Sequence, residues 1–142
     1  MFTSILLPID LGQESSWKKA LPSAVELAQS YSAELHVMTV FPDFGLSMVS
    51  VNFPADFEES GLAAVTKALG EFVKQHVPEG ISVKSHVAHG TIYSEIIAAA
   101  DKLGCDLILL SAHRPEMKDY LIGPNATRVV RHAKQSVFVV RE

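Results

Sequence analysis

A single α/β domain, one parallel five-stranded sheet with four helices spread over both faces, is the fold this sequence predicts. Two observations carry it. Short strand-like runs alternate along the whole chain with longer segments of helical period, the pattern of parallel neighbours joined by right-handed helical crossovers. The first and fourth of these runs, ILLPI and LILL, are continuously apolar, as strands covered on both faces are. At 142 residues the chain has the size of one domain, residues 1–142, with no linker-like break.

The elements follow in order. Phe2 to Ile9 reads as the first strand. Trp17, Ala20, Leu21, Ala24, Val25, Ala28 and Tyr31 then recur at three- and four-residue intervals, one face of a helix. Pro22 interrupts that face, so the helix either kinks there or begins its regular part there. Leu35 to Phe41 is the second strand, closed by Pro42. Turn formers mixed with Met48, Val49 and Val51 make Pro42 to Pro54 a surface loop or flap. Phe57, Gly61, Val65, Ala68, Leu69, Phe72 and Val73 mark a second helix that stops near Pro78 and Gly80.

Ile81 to Ala88 alternates apolar and polar residues, as an edge strand does. Gly90-Thr91 is a turn with a helix N-cap, and Ile92, Ile96, Ala99, Ala100 and Leu103 form the buried face of a third helix. Asp106 to Leu110 is the fourth strand, with a small polar turn from Ser111. Asn125 to Ala133 is the fourth helix and Ser136 to Val140 the fifth strand.

Composition narrows the function classes. Hydrophobic residues make up 48% and charged residues 20%, a packed globular balance, and the net charge of −4 gives no pull toward nucleic acid or anionic membrane. Cys105 is the single cysteine, so there is no internal disulfide and no cysteine-based zinc framework, which fits a cytoplasmic address. The opening MFTSILLPID lacks a basic leader, and Pro8 and Asp10 cut its apolar run, so it reads neither as a signal peptide nor as a membrane span.

In a sheet of this kind ligands sit beyond the carboxyl ends of the strands, where strand order reverses. Pro8-Ile9-Asp10, Val40-Phe41-Pro42 and Ser111 to Arg114 lie at such ends, and His89-Gly90 follows the edge strand. His86 and His89 are three apart, a spacing that turns them to opposite faces of a strand and argues against a shared metal.

With ILLPID, ELHVMTVFP, VAHGTIYSEII and CDLILLSAHRP…LIGPNATRVVRHAKQSVFVV in view, the sequence resembles the universal stress protein family over nearly its whole length. More closely it is similar to the bacterial subgroup with a Ser-His-Arg-Pro-like turn after the fourth strand. The resemblance implies a sheet order 3-2-1-4-5, a homodimer and, as in many members, ATP binding. The ATP-binding members carry Gly-x-x-Gly, nine residues, then Gly-Ser or Gly-Thr. Here Ser111 takes the first glycine, Arg114 the second and Gly123 the third, with Pro124 at the hydroxyl position and Pro115 to Ile122 one residue short of the spacer. By the same pattern Asp10 holds the ribose or a metal-bridged phosphate, the Val40 backbone faces adenine, and the Gly90 turn closes one side.

Physical chemistry gives each candidate two readings. Gly123 permits close backbone approach at a helix start with unpaired N–H groups, or is a plain turn glycine. Pro124 removes one donor yet suits a first helical turn. Asn125 can donate its amide to a phosphate or cap a helix. Arg114 can grip phosphate in a bidentate fashion, replacing the missing glycine cradle with charge, or pair with Glu116 and Asp119. His113 contacts phosphate or backbone. Ser111 offers its hydroxyl to a phosphate or to its own turn. Asp10 binds ligand or organises the loop to Gln13; Mg²⁺ would reverse its repulsion of phosphate.

Three functions compete. The first is a regulator that binds ATP, or AMP or ADP, with or without Mg²⁺. The second is a nucleotide-free dimeric scaffold, with the Pro42 to Pro54 loop as its contact surface. The third is a slow ATP hydrolase, disfavoured because there is no Walker lysine motif. The fifth strand, SVFVV, would be an aggregation hazard as an open edge, so pairing of Ser136–Val140 with its symmetry mate is the expected dimer contact.

Overall fold

The computed structural model describes residues 1–42, 55–112 and 123–141. The elements are β1 (Ser4–Pro8), α1 (Ala20–Tyr31), β2 (Glu34–Pro42), α2 (Ala55–His76), β3 (Val83–Gly90), α3 (Ile92–Leu103), β4 (Leu107–Ala112), α4 (Gly123–His132) and β5 (Ser136–Arg141), with one 3-10 turn at Glu14–Ser16. The five strands form one sheet in the order β3-β2-β1-β4-β5. Every neighbouring pair is parallel. The fold class and the strand order are therefore those expected.

Side-chain parity in the strands builds two cores. Ile5, Leu7, Leu35, Val37, Leu107 and Leu109 face α1 and α2, whose Ala20, Leu21, Ala24 and Leu69 cover them. Leu6, Met38, Ile108 and Leu110 face α3 and α4, under Ile96, Ala100, Ala126 and Val129. Most of these side chains are fully buried. That explains the unbroken apolar runs: in a central strand both parities need apolar residues.

Several boundaries differ from expectation for identifiable reasons. Pro22 is the third residue of α1, where its missing N–H has no intrahelical acceptor, so the helix starts ahead of it without being broken. β4 runs on to Ala112, so Ser111 is a strand residue paired with Val140 and not part of a turn. β3 likewise extends to Gly90, paired with Pro42. Thr91 is the N-cap of α3 by backbone, but its side chain makes no capping hydrogen bond. The expected loop residues Met48, Val49 and Val51 lie outside the described residues.

The two sheet edges are β3 and β5. Phe138 on β5 is 47% exposed. Asp106 ties the start of β4 to the start of β1: its carboxylate accepts from the backbone N–H of Thr3 at 3.0 Å and of Ser4 at 3.1 Å, and from the Thr3 hydroxyl at 3.2 Å. Burial raises the Asp106 pKa, but these donors outweigh it and hold the carboxyl below its ordinary value of 3.8. Cys105 is buried and accepts from the Ser4 hydroxyl; burial pushes its thiol up, the opposite of a reactive cysteine.

Candidate functional site

The order β3-β2-β1-β4-β5 reverses between β1 and β4, which pair only at Ile5↔Leu107 and Leu6↔Ile108. β1 and β2, by contrast, stay paired through Pro8↔Met38, with Ile9 N–H donating to the Met38 carbonyl at 2.8 Å. Beyond that point lies a cleft lined by Pro8, Ile9, Asp10, Thr39, Val40, Ile92 and Ile96. It joins the carboxyl ends of β1 and β2 to the first turns of α3. Val40 turns its backbone polar groups the same way as Met38, two residues before it, and so toward the space past the end of β1.

Asp10 sits where the chain leaves β1, and its loop is tightly bonded. Its Oδ1 accepts from Gly12 N–H at 3.0 Å and its carbonyl from Gln13 N–H at 3.0 Å. The Asp10 N–H donates to the Ser16 hydroxyl at 2.8 Å, and that oxygen lies 2.7 Å from the Gln13 carbonyl. Asp10 thus lines the cleft and organises the loop to Gln13.

Ser111 is 2% exposed, and its hydroxyl donates to the Ser15 carbonyl at 3.1 Å. Where the sequence offers that hydroxyl to a phosphate or to its own turn, the structure gives it to the β1–α1 connection. Asn125 behaves similarly. Its Oδ1 accepts from the Tyr93 backbone N–H at 3.1 Å, so it caps the start of α3. Arg128, one turn further along α4, lies 5.2 Å from the centre of the Tyr93 ring. These contacts lock the start of α4 to the start of α3, beside the cleft.

Gly123 is the first residue of α4 and Pro124 the second. The first turn of a helix presents N–H groups without intrahelical partners and a positive dipole end, and Pro124 withholds one of those donors. Gly90 ends β3 at φ +141°, in the range that favours glycine; a Cβ there would lie 2.8 Å from Glu95 Oε1. His113 and Arg114 lie outside the described residues.

A second polar cluster escaped the sequence reading. At the opposite pole of the sheet His36, 3% exposed, has its Nε2 2.8 Å from Glu34 Oε1 and its Nδ1 2.8 Å from His86 Nε2. His86 does lie on the other face from His89, whose ring packs 5.5 Å from that of Phe41. Its partner is a histidine 50 residues earlier. The only sequence signal was a histidine inside an otherwise buried run, Leu35-His36-Val37. Among the described residues no group of three or more His, Cys, Asp and Glu is placed to hold a metal.

A doubly wound domain with a cleft at the carboxyl ends of its central strands has the α/β architecture in which ligand sites commonly lie at those ends. Its family is clear as well: residues 1–141 match the universal stress protein family, and the chain belongs to it. Universal stress protein G of Shigella flexneri is 31% identical over 145 residues, covering 99% of this chain and 100% of that protein. A universal stress protein crystallised in complex with cAMP has the same fold, with TM-score 0.70 and 19% identity over 99% of this chain and 97% of that one. So does the universal stress protein from Archaeoglobus fulgidus in complex with dAMP, with TM-score 0.64 and 16% identity over 96% of each chain. Among the described residues no helix is long and apolar enough to cross a membrane.

Proposed function

We propose that this protein binds an adenine nucleotide, ATP or its di- or monophosphate, at the carboxyl ends of its strands, and acts as a dimeric cytoplasmic regulator in a stress response. The observation that carries the reading is the cleft between Pro8-Ile9-Asp10, Thr39-Val40 and Ile92-Ile96 at the carboxyl ends of β1 and β2. Its walls are mostly apolar, as the face of a purine needs, and Val40 brings backbone donors and acceptors for the base edge. Two relatives of the same fold are complexes with adenine nucleotides, cAMP in one and dAMP in the other.

In this reading Asp10 meets the ribose, or a phosphate through Mg²⁺, whose charge turns carboxylate–phosphate repulsion into attraction. Gly123 and the first turn of α4 receive the phosphates, and the charge of Arg114, with His113 beside it, replaces the missing glycines. Ser111 and Asn125 contribute by holding the β1–α1 loop and the α3 start in place. Gly90 closes the near side. The sequence Ser111-Ala112-His113-Arg114-Pro115 supports placing the chain with the bacterial subgroup that has a Ser-His-Arg-Pro-like turn after the fourth strand. Dimerisation proceeds through β5.

A nucleotide-free dimeric scaffold is the second reading. It is favoured by one specific observation: the Ser111 hydroxyl and the Asn125 carbonyl oxygen already have protein partners, and Pro124 supplies no N–H. Releasing small molecules from the purified protein by denaturation, then chromatography and mass measurement, separates the two. Stoichiometric adenine nucleotide supports the binding reading. A preparation that releases none, and takes up none when incubated with millimolar ATP before desalting, supports the scaffold.

A further inference from the structure

The pole of the sheet away from the cleft carries a proton-handling arrangement that nucleotide binding does not use. Glu34 and His36 are on β2 and His86 on the edge strand β3, two residues beyond the position level with His36. Parity sends all three to the α3 face. The charged groups around them are Glu34, with Ser82 donating to its Oε2 at 3.3 Å; Lys84, whose Nζ is 3.7 Å from the same oxygen; and Lys102 at the end of α3, which acts on His86 electrostatically.

The bonding network fixes where each proton resides. Ionised Glu34 can only accept, so His36 donates to it from Nε2. His36 Nδ1 is then an acceptor, and His86 Nε2–H donates to it. One added proton fits: His36 becomes a cation donating from both nitrogens, while His86 shifts its hydrogen to Nδ1 and accepts. A second proton does not fit, because it sets two cationic rings with N–H groups facing at 2.8 Å.

We propose that His36 and His86 form a one-proton latch that fastens edge strand β3 to β2 and releases it on acidification. In the unfolded chain the two histidines take up two protons, in the folded pair one. The folded state therefore binds fewer protons as pH falls below the ordinary histidine value of 6.5, and it loses stability there. Burial pushes both rings below that value. For both rings the Lys84 charge adds to the push and the Glu34 charge opposes it, and for His86 the His36 and Lys102 charges add further. Among the described residues β3 pairs with no strand but β2, and it leads through Gly90 into α3, so release at this pole loosens the element that carries one wall of the cleft.

The test is urea unfolding between pH 7.5 and 5.0 of the wild type, His86→Gln and His89→Gln, with amide exchange of the Val83–Gly90 segment, corrected for the intrinsic pH effect, as local readout. The wild-type folding constant should fall about tenfold per pH unit below about pH 6, the slope of one missing proton. His86→Gln, which keeps a donor without a titrating ring, should flatten that slope, and His89→Gln should keep it. Segment exchange should accelerate on acidification in the wild type. A flat wild-type profile, an unchanged slope in His86→Gln, or pH-independent segment exchange overturns the latch. Should His86→Gln not fold, ring nitrogen NMR of the wild type decides instead: two protons taken up independently near 6.5 contradict the proposal, and one shared proton supports it.

Discussion

Asp106 and Gly90 show how single residues set the frame of the site. Asp106 gathers three donors from Thr3 and Ser4 at the sheet's amino end, so Asp106→Ala should destabilise the protein by about 1–2 kcal/mol in urea unfolding. Its lowered carboxyl pKa contributes stability that is present above 3.8 and is lost as pH falls through the lower folded value. That window is well separated from the histidine window below 6.5. At Gly90 an alanine meets both φ +141° and a Glu95 oxygen at 2.8 Å; Gly90→Ala should lower stability by about 1–3 kcal/mol. Adding Glu95→Ala should recover only the part due to the contact, which a thermal melt of the single and double variants reads directly. Residue partners were the least legible layer. Asn125 announces itself as a capping residue, but that it caps a helix 32 positions away depends on how α3 and α4 pack. His36 and His86 meet only through the β2–β3 register, which periodicity does not reveal.

Elements were far more legible, because each rests on local chemistry. Apolar runs, one alternating run and faces of period 3.6 place the five strands and four helices of the described residues, and they err mainly at ends, where tertiary contacts decide. Ser111 looks like the first residue of a polar turn; its neighbour Val140 on β5 and the Ser15 carbonyl keep it in β4. Pro22 looks like a breaker and is instead a first-turn residue. Pro22→Ala should therefore not repair α1; it should leave stability unchanged or lower it by up to about 1 kcal/mol, through a freer unfolded chain. Asn125→Ala removes the only side-chain cap recorded at the start of α3 among the described residues, and should cost about 1 kcal/mol. Hydrogen exchange localised to the first turn of α3 would show that the loss falls on that helix.

At the scale of the molecule, alternation of strands and helices implied the parallel sheet, and family resemblance supplied its order, with β5 at one edge. The exposed Phe138 and the side of β5 that is unpaired among the described residues motivate the dimer: light scattering should show two chains per particle, and charged substitution at Phe138 should shift the particle toward the monomer. The site was legible as a set of strand ends, since topology alone puts Asp10 and Val40 at one cleft. Its phosphate end was less so: the sequence substitutes Ser111, Arg114 and Pro124 where relatives of the ATP-binding pattern carry glycine or a hydroxyl. The central claim is that the cleft still takes an adenine nucleotide. The most direct measurement is equilibrium dialysis against ATP, ADP and AMP up to millimolar concentration, for the wild type and Gly123→Val. Saturable binding of one nucleotide per chain, weakened at least tenfold by Gly123→Val in a variant that remains folded, is the predicted result. No binding of any of the three by the wild type at millimolar concentration would contradict it.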